Sequence, residues 1–348
     1  MKKKVTVQLA DGSCFEGYRF GAEGDAIGEG VFHAGVIGYL ETLTDPNNHG
    51  QIVVETFPMI GNYGVASVDV EGKKPTVAAY IVREFCDKPS NFRMDTTLDA
   101  YMKENGVIGV YGVDTRAITA ILRDKGTMNI QIADTPDAKA MEDYKVQGGV
   151  EKASCKEVQV FGEGTSIAVL DCGCGSLAAK SLAAFGAKAT LYPYNTEAEE
   201  LLKHDGIVIS DGPGNPKDNE EMIEQIKACF GKKPMLGIGL GHNLVALAAG
   251  GETYALHHGH RSGNQPVRDM KTGKVLITTQ NHGYAVSEDS LKAMNAEILY
   301  TNINDGTIEG MVFPGKKCKT LQFRPEGCSR PNQTKDLYMK FIAETEEK

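Results

Sequence analysis

Lys4 to Leu9 alternates polar and apolar side chains, and so does Cys14 to Phe20, with Asp11-Gly12 between them as a hairpin-turn signal. The chain is therefore expected to begin on a β-hairpin. Gln51 to Met59 and Thr76 to Glu84 read as further strands. Helical spacing of Leu98, Tyr101 and Met102 predicts a helix from about Thr96 to Glu104, with Asp95 as its N-cap and Gly106 beyond its end. A second helix opens at Asp114-Thr115-Arg116, carries Ile118, Ile121 and Leu122 on one face, and stops before Gly126.

Periodicity fades between Gly148 and Thr165, where glycine, lysine and glutamate dominate. The division expected is an N-terminal domain over 1–148, a linker over 149–165 and a second domain over 166–348. Beyond the linker strands and helices alternate: Ser166 to Leu170, a helix to Phe185, Ala189 to Tyr192, a helix near Glu197 to His204, then Gly206 to Ser210. A helix with Met222, Ile223, Ile226, Cys229 and Phe230 on one face follows, then Met235 to Ile238, then a helix from about His242 to Ala249. Such alternation predicts an α/β fold with a mainly parallel sheet, whose ligand sites lie at the carboxyl ends of the strands. Leu276 to Thr279, Glu297 to Thr301, Gly310 to Phe313 and Thr320 to Phe323 are expected as added strands before a final helix, Lys335 to Thr345.

The 348 residues are enough for two domains with real cores, and the forty glycines exceed the usual share without approaching low-complexity composition. A net charge of -9 argues against nucleic-acid binding, and no apolar run approaches a membrane span. Lys2 to Lys4 is followed by an alternating strand rather than a signal-peptide core, so a cytoplasmic location is expected. Eight scattered cysteines fit reduced thiols, and Cys172 and Cys174 lack a second pair at zinc spacing, so no metal is expected. His257, His258 and His260 are expected as surface or hydrogen-bonding residues.

Two glycine-flanked segments stand at expected strand ends: Ser210-Asp-Gly-Pro-Gly-Asn-Pro216, and Gly237-Ile-Gly-Leu-Gly-His-Asn243, which joins a strand to a helix. The latter has the pattern of a nucleophile elbow, where one strained residue stands above the sheet at a helix N-terminus. The stretch from Lys233 to Ala248 resembles the glutaminase elbow of class I, triad-type glutamine amidotransferases, in the version of the carbamoyl-phosphate synthetase small subunit. Gln280-Asn-His-Gly-Tyr-Ala-Val and Gly259-His-Arg-Ser-Gly-Asn-Gln-Pro-Val resemble two more motifs of that subunit. Gly38-Tyr, Leu43-Thr-Asp-Pro, Gln51-Ile-Val, Gly61-Asn-Tyr-Gly, Ser90-Asn-Phe-Arg and Gly112-Val-Asp-Thr-Arg-Ala-Ile-Thr resemble its first domain.

The resemblance covers essentially the whole chain. It implies a small-subunit N-terminal domain followed by a flavodoxin-like amidotransferase domain. It also implies a cysteine, histidine and glutamate that hydrolyse glutamine and deliver ammonia to a large subunit, in pyrimidine or arginine biosynthesis. The cysteine position here is Gly239, the histidine position is Arg324, and only Glu326 remains. Glycine forms no thioester, and arginine stays protonated and cannot act as a base. Glycine also relaxes an elbow conformation that costs another residue roughly 1–3 kcal/mol.

By the same resemblance, glutamine would be held by Asn47, Gly212, Gly214, Leu240, Asn243, Asn281, Gly283 and Tyr284, with the N–H groups of Gly212 and Leu240 as oxyanion hole. The family usually has serine at Asn47, glutamine at Asn243 and phenylalanine at Tyr284. The glycine loops either maintain the turns or retain ligand binding. His242 and His282 flank the pocket, while Cys172 and Cys174 near the same sheet edge and Cys328 beside Glu326 in sequence do not lie on the elbow, so no relocated nucleophile is expected. The expectation is an inert glutaminase that serves a synthetase large subunit as a structural or regulatory partner. A working glutamine-hydrolysing subunit and a small-molecule sensor, for glutamine or a related amino acid, are the alternatives. No cofactor is expected in this chain, since ATP and magnesium would belong to the large subunit.

Overall fold

The computed structural model describes residues 3–70, 74–326, 334 and 336–346. The chain divides into two compact units, Met1–Gln147 and Gly148–Lys348.

The first unit carries strands β1 (Lys4–Leu9), β2 (Cys14–Gly21), β3 (Ala26–His33), β4 (Gln51–Glu55), β5 (Met59–Ile60), β6 (Ala79–Val82), β7 (Glu84–Phe85), β8 (Ile108–Tyr111) and β9 (Met128–Ala133). Its helices are α1 (Tyr39–Thr44), α2 (Leu98–Glu104), α3 (Thr115–Lys125) and α4 (Ala138–Asp143). A closed barrel runs β1-β2-β8-β6-β4-β3-β9. The opening hairpin is as expected, with Gly12 at positive φ and Asp11 Oδ1 accepting from Ser13 N. Burial of both faces explains the unbroken apolar run in β4: Ile52 and Val54 enter one core with Val7, Ile81 and Ile130, while Val53 enters another with Leu43, Tyr80 and Leu98.

Barrel closure was not legible in the sequence, because β3 reads as a glycine-broken segment. Gly30 is needed there, since a Cβ would lie 2.4 Å from Ile130 Cδ1 on the neighbouring strand. The cap of α2 also differs from expectation. Thr97, not Asp95, caps the helix, its hydroxyl accepting from Ala100 N at 3.2 Å. Asp95 instead accepts from Ser67 N at 2.7 Å.

The second unit contains α5 (Gly149–Ala153), β10 (Gln159–Phe161), β11 (Thr165–Asp171), α6 (Gly175–Ala184), β12 (Ala187–Pro193), α7 (Ala198–Leu201), β13 (Gly206–Ile209), α8 (Glu220–Cys229) and β14 (Met235–Ile238). It continues with α9 (Leu240–Ala248), β15 (Thr253–Asp269), β16 (Val275–Val286), α10 (Leu291–Met294), β17 (Glu297–Asn302), β18 (Ile308–Phe313), β19 (Cys318–Leu321) and α11 (Asp336–Glu346). The stretch 149–165, expected as a linker, thus carries a helix and an edge strand that pairs with β12. The helix expected over Glu197 to His204 is a single turn.

One sheet orders these strands β10-β12-β11-β13-β14-β19-β18-β17-β15-β16, and β12, β11, β13, β14 and β19 are mutually parallel. Leu201, Met222, Ile226, Leu244 and Val245 cover one face of the sheet. Ala178, Leu182, Tyr338, Phe341 and Ile342 cover the other. The 17-residue β15 escaped the sequence reading because register shifts interrupt its alternation.

Replacing Thr97 with Ala should lower stability by about 1 kcal/mol, the usual value of a lost N-cap, as measured by urea denaturation.

Candidate functional site

Parallel pairing aligns the carboxyl ends of β11, β13, β14 and β19 along one edge, so four loops converge. They bring Cys172 and Cys174, Asp211 and Gly212, Gly239 and Leu240, and Arg324 and Glu326 to that edge. Helix α9 packs closely because Gly241 has no side chain: a Cβ there would lie 2.2 Å from Ile209 O. Gly239 precedes α9 at φ 55 and ψ -112, a backbone conformation open to glycine and strained for other residues. The elbow geometry persists without its side chain.

The space above the elbow is filled by Asp211. A Cβ built on Gly239 would lie 2.0 Å from Asp211 Oδ1 and 2.2 Å from its Cγ. Asp211 Oδ1 accepts from Gly212 N at 2.8 Å and from Leu240 N at 2.9 Å. These are the two N–H groups expected to form the oxyanion hole. The other oxygen, Oδ2, accepts from Arg324 Nε at 2.7 Å, and both side chains are more than nine-tenths buried. The position of α9 adds the favourable field of a helix N-terminus to the carboxylate. Arg324 is held from its backbone as well, its N–H donating to Thr279 O of β16 at 3.0 Å.

Glu326, expected as the third triad position, has a partner of its own. Glu326 Oε1 accepts from the hydroxyl of Tyr338 on α11, and its Oε2 is buried without a hydrogen-bond partner among the described residues. Burial pushes the Glu326 carboxyl above its ordinary range, against the opposing pull of the Tyr338 hydrogen bond and the Arg324 charge. Tyr338 itself is raised well above a usual phenol by burial, so it acts as donor.

Asn243, where the family resemblance expects glutamine, turns inward. Its Nδ2 donates to Gly239 O at 3.3 Å and to Gln322 Oε1 at 3.1 Å, while Oδ1 is buried without a partner among the described residues. Gly214 lies in an open turn at φ 95. Asn281, Gly283 and Tyr284 lie on β16, where Asn281 sits opposite Arg261 of β15. Asn47 belongs to the first unit, in the turn 46–48, its N–H donating to Asp45 Oδ1 at 3.0 Å.

Of the thiols, Cys172 is fully buried against Met222 and burial pushes it well above the ordinary thiol range. Cys174 Sγ lies 3.5 Å from Arg324 Nη2. Cys328 lies outside the described residues. His242 is held neutral by burial, at a pKa of about 3, with Nδ1 2.8 Å from Thr320 Oγ1.

His260, His282 and Glu309 place potential metal-ligand atoms within 4.8 Å of one another. The amide of Gln280 fills their centre: Oε1 is 3.0 Å from His260 Nδ1 and 3.0 Å from His282 Nε2, and Nε2 donates to Glu309 Oε2 at 2.9 Å. Burial alone would lower the pKa of His260, but Asp305 and Glu309 overcome it and raise it to about 9. His260 is the hydrogen-bonding residue of the two expected alternatives, and it is buried and paired with Asp305 and Glu309 instead of lying at the surface.

Sequence reasoning missed Asp211, Gln322 and Tyr338. The available signal was Arg324 itself: a guanidinium replacing a site histidine beneath a sheet edge requires a carboxylate, and the strand-end loop offers one at Asp211.

The family model for the carbamoyl-phosphate synthase small chain, CPSase domain, matches residues 7–132, and that for class-I glutamine amidotransferases matches residues 168–343. The second unit, with its parallel-rich sheet and elbow, is accordingly a class-I glutamine amidotransferase domain. The carbamoyl phosphate synthase small chain of Fusobacterium nucleatum is 41% identical over 343 residues, covering 96% of each chain. That of Clostridium perfringens is 41% identical, covering 97% of this chain and 99% of its own, and that of Bacillus caldolyticus 42%, covering 99% and 96%. The chain belongs to the carbamoyl-phosphate synthase small-chain family.

Gly239→Ala should destabilise by more than the roughly 1–3 kcal/mol of backbone strain, and by more than Gly214→Ala, where a Cβ meets nothing within 4 Å. In a denaturation double-mutant cycle, Asp211→Ala should couple to Gly239→Ala by at least about 0.5 kcal/mol, reflecting the relieved collision.

For His260 the raised pKa means its contribution is fully present below the unfolded value of about 6.5 and is lost as pH rises through about 9. Between pH 7 and 9.5 the chain should therefore lose on the order of 1–3 kcal/mol more stability than its His260→Gln variant, read from urea midpoints at each pH.

Proposed function

We propose that this chain is a small-chain protein whose glutaminase centre is inert, and that it serves a carbamoyl-phosphate synthetase large subunit as a structural or regulatory partner. The observation that carries the reading is the Asp211–Arg324 pair at the elbow, with Gly239 beneath it. Hydrolysis of glutamine by this family's chemistry needs a thiolate, a proton carrier and donors aimed at the developing oxyanion. Here glycine occupies the nucleophile position, a paired guanidinium the base position, and a carboxylate accepts from both donors. Losing the nucleophile alone costs such a triad on the order of 10⁶ in rate, and the further losses add little because the residues act as a unit.

Partnership rests on family membership across both units: relatives matched over nearly their full length bear the name small chain. In this reading ATP and magnesium act on the large subunit, and the chain is a cytoplasmic protein of pyrimidine or arginine biosynthesis. No helix among the described residues is long and apolar enough to cross a membrane.

The test is ammonia release from glutamine by the purified chain, alone and with a cognate large subunit, together with co-purification of the two. The expected result is a stable complex with no glutamine turnover above background and with ammonia-dependent synthesis intact. Glutamine turnover would overturn the inert reading. Failure to associate, accompanied by glutamine binding in calorimetry, would favour a sensor.

A further inference from the structure

Three cationic or donor groups converge on one buried carboxylate, and two of them are backbone N–H groups that no substitution of side chain has altered. Gly212 N and Leu240 N point at Asp211 Oδ1, and Arg324 Nε points at Oδ2. A carboxylate bound by two N–H groups at a helix N-terminus and by a guanidinium is how proteins bind small anions. The occupant in this case comes from the chain itself. Resting on the inert-glutaminase reading, we propose that Asp211 is an intramolecular ligand of the relic oxyanion cradle, and that the cradle freed of it is a site for small monocarboxylates.

Two consequences follow from the geometry. Asp211 stands where a side chain at position 239 would begin, so the carboxylate, and not only the missing thiol, closes the site to the amide of glutamine. Restoring the cysteine and the histidine alone would leave the donors occupied and force the new Cβ against Asp211. Removing Asp211 takes this carboxylate from a buried guanidinium, a destabilising change that an external anion would offset.

The binding arm of the test uses formate. In ¹⁵N-labelled Asp211→Ala, the Gly212 and Leu240 amide resonances should shift saturably with sodium formate and not with sodium chloride at matched ionic strength. Formate should also raise the melting temperature of that variant. Wild type should show neither response, and Asp211→Ala/Arg324→Met should bind formate at least tenfold more weakly. Asp211→Ser carries the same readouts if the alanine variant does not fold. Formate-insensitive amides in a folded Asp211 variant, or the same shifts in wild type, would overturn the cradle.

The catalytic arm compares Gly239→Cys/Arg324→His with Gly239→Cys/Arg324→His/Asp211→Ala. Ammonia release should be at least 10²-fold faster in the triple variant. Equal rates in the two would overturn the role of Asp211 in closing the site. Wild-type turnover of glutamine would instead sink the inert-glutaminase reading on which the inference rests, so the two failures are distinguishable.

Discussion

A guanidinium buried at a sheet edge must meet a carboxylate, and the Asp211–Arg324 pair is the constraint on which the rest of the site depends. Breaking such a pair by removing one partner typically costs 3–5 kcal/mol, so each residue fixes the other. The carboxylate in turn lies where a Cβ at position 239 would stand, and only glycine leaves that space free. Its second oxygen accepts from Gly212 N and Leu240 N, the two N–H groups expected as oxyanion donors. Gly239, Asp211 and Arg324 therefore form one interlocked arrangement and not three independent losses.

The scaffold beneath the pair is built from a few features that position it. Four parallel strands end at the same edge, Gly241 lets α9 sit against β13, and Gly239 keeps the strained elbow dihedrals. The fold requires these turns whatever the chemistry at its edge, because the helix–sheet packing around Ile209, Leu244 and Val245 is built on them. This explains how family membership over nearly the whole chain coexists with a triad position that carries arginine.

Much of this was legible in the sequence and some was not, for physical reasons. Strands β13 and β14 are short, fully buried apolar runs, and helices such as α8 carry one clear apolar face, so both read well from the sequence pattern. Strand β3 did not, since Gly30 makes room for Ile130 from a strand about a hundred residues away in sequence, and barrel closure is a property of such distant pairs. The positions Gly239, Arg324 and Glu326 could be singled out through the family resemblance. The occupation of the oxyanion donors could not, because an aspartate in a Ser-Asp-Gly loop is equally compatible with an ordinary turn until Arg324 is brought next to it. Tyr338 as partner of Glu326 was hidden for the same reason, lying on a helix whose docking the linear pattern does not reveal.

The most direct measurement is a high-resolution crystal structure of the chain grown in saturating glutamine. The account predicts Asp211 Oδ1 within hydrogen-bonding distance of both Gly212 N and Leu240 N, Arg324 on Oδ2, and no glutamine amide at the elbow. Asp211 rotated away, with a glutamine carbonyl oxygen accepting from those two N–H groups, would contradict it.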